Sequence, residues 1–161
     1  MPFITILIFG ALAGSFALVL ELLTMSLFSL PFAMEEIFSF STFFIFLLLA
    51  CIEEISKFIF LNRYKKYSLL KNSQTISSFI TLAILFGIGF SSLETILSFQ
   101  DISLLSLSSI LKTLLLHIST SLLFVYFIFY KKERKPIVHS VNLWLILSTI
   151  FIHLIYNIIL F

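Results

Sequence analysis

Five apolar stretches, each long enough to cross a bilayer as a helix, take up most of this chain. Their approximate bounds are 3–30, 38–61, 76–99, 105–130 and 137–160. A hydrocarbon core takes roughly 20 apolar residues per helical crossing, and backbone groups inside it must be satisfied within the segment. These stretches therefore predict an all-α fold, a polytopic transmembrane bundle of about five helices. Composition agrees: 60% of residues are hydrophobic and 11% charged, against about 45–50% and 25% in soluble domains. Residues 1–161 read as one integral membrane domain, with no soluble domain, internal repeat or long linker. Pro31 follows the first stretch and Pro136 precedes the fifth, where proline suits a helix boundary.

Charge gives the topology. Arg63, Lys65, Lys66 and Lys71 form one basic cluster, and Lys131, Lys132, Arg134 and Lys135 form another. Nucleic-acid or anionic-lipid binding is one reading of such clusters. A pair of cytoplasmic loops obeying the positive-inside rule is the simpler one, so no nucleic-acid partner is expected. The intervening loops carry Glu35 and Glu36, then Asp101. The expected topology puts the N-terminus in the cytoplasm and the C-terminus outside, in the cell membrane. The first stretch lacks a basic n-region and outruns a typical signal sequence, so it reads as a retained helix. Cys51 is the only cysteine and forms no internal disulfide.

Inside this oil the chain places ionisable residues, which cost about 2.5–3.5 kcal/mol each for Asp, Lys or Arg at a helix centre on insertion scales. They are best explained by partners within a bundle, and often by function. Glu53 and Glu54 share a face with Lys57 at i,i+4 and i,i+3. Two carboxylates and one ammonium leave a surplus negative charge, a setting from which general bases are made. The plain alternative is a structural ion pair near a helix end. Glu94 follows Phe90 by one turn, beside Gly87, Gly89, Ser91 and Ser92, which permit close helix approach. It can equally be an interfacial residue near the headgroups. His117 lies among leucines with Ser121 one turn on, a setting that also suits a packing histidine. His153 and Asn157 are i,i+4 and can aim donors at one point, as an oxyanion site requires, or can bond between helices. Glu21 pairs with Lys112 or faces the cavity. His139, beside the basic cluster, is assigned no role. No serine elbow or Ser–Lys arrangement is present.

Taken in order, Glu53-Glu54-Ile55-Ser56-Lys57, Phe90-Ser91-Ser92-Leu93-Glu94, His117, and His153 with Asn157 closely resemble the motifs of the PrsW family of intramembrane, glutamic-type proteases. This group is related to the CAAX prenyl proteases and the bacteriocin-immunity-type membrane proteases. The Lys spacing and the Phe-x-x-x-Glu point to the PrsW branch. The motif-bearing core is about 38–161, with one further N-terminal helix.

The resemblance implies hydrolysis of a peptide bond in a membrane protein. Glu53 would deprotonate water, with Glu54 supporting it and Lys57 holding the pair electrostatically. Glu94 would orient the water, His117 position water or substrate, and His153 and Asn157 bind the oxyanion. No cofactor is required by this scheme. A metal-dependent version is the variant, since zinc accepts both carboxylate and imidazole ligands. The implied partner is a single-pass membrane protein, such as an anti-sigma factor, within the lipid bilayer. Two other classes also place Glu, His and Lys in a membrane: an ion- or proton-coupled transporter, and a non-catalytic binding or immunity protein.

Overall fold

The computed structural model describes residues 2–27, 40–67, 76–98, 106–130 and 139–160. All of these except the capping residue Ser106 are helical. The helices are α1 (Pro2–Leu27), α2 (Phe40–Tyr67), α3 (Ile76–Ser98), α4 (Leu107–Val125) and α5 (His139–Leu160). A π-helical turn, Tyr126–Tyr130, continues α4. The result is a polytopic helical membrane bundle. Phe3–Leu27, Ile76–Ile96 and Leu107–Phe129 are each long and apolar enough to span, while α5 offers the shorter Leu143–Ile159. The span of α2 is broken by Glu53, Glu54 and Lys57.

The helices form a ring. α1 packs on α2 and α3, α3 on α4, α4 on α5, and α5 closes back on α2. The α1–α3 seam is the most extensive, and its sequence shows why. Gly10 and Gly14 lie one turn apart against Phe86 and Phe90, and Gly89 lies against Leu7 and Ala11. A methyl group at Gly10 would strike the carbonyl oxygen of Phe86. Small residues let membrane helices approach backbone to backbone, where dispersion replaces the missing hydrophobic drive. Both numbers climb together along the seam, from 10 and 86 to 14 and 90, so α1 and α3 run parallel. Across α3, Gly87 admits the backbone of Ile118 on α4. The fully buried core, including Ile6, Ala13, Leu61, Ala83, Phe86 and Phe124, lines the ring's interior.

Outside the ring, large apolar residues such as Ile4, Leu23, Phe44, Leu115, Trp144 and Phe151 are exposed, as lipid-facing surfaces require. α4 opens with Ser106, whose hydroxyl accepts from the Ser109 amide, a standard N-cap.

One expectation changes. Arg63, Lys65 and Lys66 were expected in a loop but lie on the last turns of α2. Cations there meet the negative end of the helix dipole, which favours continuing the helix. Lys65 also donates to the Ile128 carbonyl of the π-helical turn and stacks over Phe129 at 5.2 Å. A π turn displaces carbonyls from the regular ladder, and this lysine caps one of them. Pro31, Glu35, Glu36, Lys71, Asp101, Lys131, Lys132, Arg134, Lys135 and Pro136 lie outside the described residues, as does the side chain of His139.

Candidate active site

The ring's interior holds the ionisable residues, and they meet. α2 supplies Glu53, Glu54 and Lys57, α3 supplies Glu94, α4 supplies His117 and Thr120, and α5 supplies His153. Glu54, Lys57, His117 and Thr120 are completely buried, and His153 is nearly so.

One half of the cluster is built around a single well-bonded carboxylate oxygen, Glu54 Oε1. Lys57 Nζ donates to Glu54 Oε1 at 2.5 Å and to Thr120 Oγ1 at 3.1 Å. Its ammonium also lies 4.6 Å from the Phe90 ring centre, a favourable cation–π position. His153 Nδ1 lies 2.9 Å from the same Glu54 oxygen. Glu54 Oε1 thus binds α2 to α5 through His153, and Lys57 extends the link to α4. A neutral His153 that donates from Nδ1 leaves its Nε2 bare, 3.6 Å from Glu53 Oε1.

The other half is under-bonded. His117 Nε2 pairs with Glu94 Oε2. A neutral His117 that donates there keeps Nδ1 as a lone-pair acceptor. That Nδ1 faces Glu53 Oε2 at 3.9 Å, and both atoms are buried without a hydrogen-bond partner. Two acceptors facing one another in a low-dielectric interior repel unless a proton, a water or a cation lies between them. Glu54 Oε2, Ser121 Oγ and Glu21 Oε1 are also buried without partners.

The cluster is graded in exposure. The Glu94 side chain is 30% exposed, Glu53 9% and Glu54 0%. It therefore opens toward the end of the bundle where α3 finishes, α4 begins and α5 finishes. Glu94 is no headgroup-level residue standing alone, since it is bonded to a histidine of the buried cluster.

Every expected site residue except Asn157 is tied into this network. Asn157 is half-buried one turn beyond His153 and takes part in none of the network's bonds. The expected pairing of Glu21 with Lys112 is absent among the described residues, and Lys112 is exposed on α4. Glu21 instead faces the cluster, within hydrogen-bonding reach of Glu53 and in the fields of Glu94 and Lys57.

A family model described as the PrsW family intramembrane metalloprotease matches residues 3–161. The chain belongs to the PrsW family. Membership covers α1 as well as the motif-bearing helices, and it makes the chain an intramembrane peptidase by family. No curated protein and no solved structure matches it.

The family's description names a metal, which agrees with the metal-dependent variant, so the expectation of no cofactor with a divalent ion as the variant is met only in part. The residues fit one. Glu53, Glu94 and His117 each offer a ligand atom, all within 4.8 Å of one another. The orphaned pair, His117 Nδ1 and Glu53 Oε2, is separated by 3.9 Å, so one ion can reach both atoms with bonds of ~2.0–2.1 Å, though only at an angle wider than tetrahedral. The far nitrogen of His117 is bonded to Glu94, itself one of the three candidate ligands.

Residues that sequence reasoning passed over include Thr120 and the Gly10-x-x-x-Gly14 pair. The glycine spacing was a readable signal, since small-xxx-small marks close membrane-helix packing. Thr120 lies three residues after His117 in a serine- and threonine-rich helix, so nothing local distinguishes it.

Proposed function

We propose that this PrsW-family protein hydrolyses a peptide bond of a membrane protein at the Glu53–His117–Glu94 face of the cluster. The observation that carries this reading is the pair of partnerless buried acceptors, Glu53 Oε2 and His117 Nδ1, 3.9 Å apart. Buried polar atoms are almost always satisfied, so leaving two aimed at one point is costly unless something is to bind there. A water held between them is within reach of a carboxylate base.

In this scheme Glu53 takes the proton from the attacking water. Glu54, locked by Lys57 and His153, fixes the helix turn that aims Glu53. His117 and Glu94 hold the water from the other side. Both His153 nitrogens face the glutamate pair, so its part is to orient that pair, and Asn157 is left as the amide donor toward the oxyanion. A divalent ion held by Glu53, Glu94 and His117 would polarise the scissile carbonyl and acidify bound water.

The opening at the Glu94 end supports cleavage near one membrane face. With basic segments inside, that face is the outer one. The substrate that fits is a single-pass membrane protein, with an anti-sigma-factor-like protein as the specific candidate.

The test is co-expression with single-pass membrane reporters at matched membrane levels. Wild type should release a fragment that both Glu53→Gln and His153→Ala fail to release. A fragment unaffected by either change would move the reading to a transporter or a non-catalytic binding protein.

A further inference from the structure

Tyr156 occupies a place in this centre that no motif marks. It lies three residues after His153 on α5, with the two rings edge to face at 6.4 Å and 82°. Its hydroxyl crosses the α4–α5 seam to Thr113, Oγ1 to Oη 3.1 Å, where either hydroxyl can donate. Thr113 precedes His117 by one turn on α4. The seam therefore carries two rungs: His117 and His153 with ring centres 5.7 Å apart, and Thr113 with Tyr156 beside them. Tyr156 is half-buried where His153 is buried, so its rung lies toward the opening. Bonded to Thr113, one helical turn before His117, that hydroxyl lies toward the end of the bundle where α4 begins and α5 finishes.

Hydrolysis needs a donor for the carbonyl oxygen as it gains charge. A neutral His153 spends its Nδ1 proton on Glu54 and has none on the bare Nε2 that faces Glu53. Tyr156 offers an O–H at the mouth of the site, already held by a second hydroxyl. When Thr113 donates to the tyrosine oxygen, the phenolic proton is left to point into the site.

We propose that the Tyr156 hydroxyl donates to the scissile carbonyl oxygen in the transition state, with Thr113 as the positioning residue that turns its proton inward. The proposal rests on the hydrolytic reading above. The water oxygen bonds to the carbonyl carbon and its proton passes to Glu53. The carbonyl π pair moves onto oxygen, which accepts the Tyr156 hydrogen bond. Collapse re-forms the carbonyl, breaks the C–N bond, and returns the Glu53 proton to the departing amine nitrogen.

The test uses the full chain, purified into phosphatidylethanolamine–phosphatidylglycerol vesicles, acting on a single-pass reporter with a fluorophore beside its membrane helix. Tyr156→Phe should lower kcat by about 10²–10³-fold, the loss typical of one oxyanion donor. KM and the thermal unfolding midpoint should stay near wild type. Thr113→Val should lower kcat by a smaller factor, and Thr113→Ser should restore it. Tyr156→Phe with kcat within threefold of wild type overturns the proposal, as does a parallel fall of kcat and stability in both variants, which would make the pair a latch between helices. Glu53→Gln is measured alongside. If it cleaves as well as wild type, or if wild type cleaves nothing, the hydrolytic reading itself fails and the Tyr156 role falls with it.

Discussion

Glu54 and Glu53 are adjacent in the chain, yet one sits in the closed half of the polar centre and the other in its open half. Glu54 Oε1 takes Lys57 at 2.5 Å and His153 at 2.9 Å in a region without exposure. Each glutamate leaves its Oε2 without a partner, but that of Glu53 faces a second partnerless atom, His117 Nδ1. Successive helix residues diverge by about 100°, since 3.6 make a turn, so a Glu-Glu pair necessarily points into two environments. The lesson is a division of labour: a buried ion pair bonded through one Glu54 oxygen holds three helices in register, and that rigidity lets the neighbouring carboxylate stay under-bonded. Supporting a reactive group with a locked second layer is what precise sites require.

Breaking the closed half should give the largest effect on stability. Lys57→Met keeps the volume but strands Glu54 as a buried carboxylate without its ammonium. Such changes cost about 3–5 kcal/mol, readable as a large drop in the detergent-solubilised unfolding midpoint. An unchanged midpoint would mean the closed half does not hold the bundle.

A backbone clash remote from the centre serves as the comparison. Gly10→Val drives a side chain into the Phe86 carbonyl on α3 and should cost about 1–3 kcal/mol by overpacking. Cleavage per folded molecule should be kept, measured as activity normalised to the folded fraction. A loss of specific activity would show that the α1–α3 seam also sets the geometry of the site.

Within the open half, Glu94→Gln keeps a hydrogen bond to His117 but removes one charge from the Glu53–Glu94–His117 donor set. Loss of a ligand or its supporting partner typically weakens metal sites by about 10–100-fold. Zinc titration of the chelator-stripped protein should show weakening of that order with an unchanged unfolding midpoint. Equal zinc binding by Glu94→Gln and wild type would remove Glu94 from the donor set.

The smallest effect is expected at the far end. Lys65→Met removes the cap on the Ile128 carbonyl and the stack on Phe129, together about 1 kcal/mol. It should lower the midpoint slightly and leave cleavage alone.

Much of the centre was legible in the sequence because polar residues in a membrane helix have few innocent explanations. The i,i+3 spacing of Glu54 and Lys57 put that pair on one face, and the order of Glu94, His117 and His153 across separate helices suggested convergence. Which glutamate would be locked and which left open was not legible, because it depends on where α5 and α4 approach α2. The two His153 nitrogens turned toward the glutamates for the same reason, since a ring's orientation is set by its neighbours across the seam. The end of α2 was misread because Arg63, Lys65 and Lys66 signal a cytoplasmic edge without saying whether the backbone there is loop or helix. Long basic side chains can snorkel from a continuing helix. The π-helical turn after Val125 left no mark in Tyr126–Tyr130 that differs from its apolar surroundings.

The division between the two glutamates is tested most directly by measuring unfolding and reporter cleavage for Glu53→Gln and Glu54→Gln side by side in the same lipid vesicles. The account predicts that Glu53→Gln abolishes cleavage while its unfolding midpoint stays at or above that of wild type. It predicts that Glu54→Gln lowers the midpoint markedly, because the Lys57 ammonium loses its carboxylate. A Glu53→Gln protein that still cleaves, or a Glu54→Gln protein as stable as wild type, would contradict it.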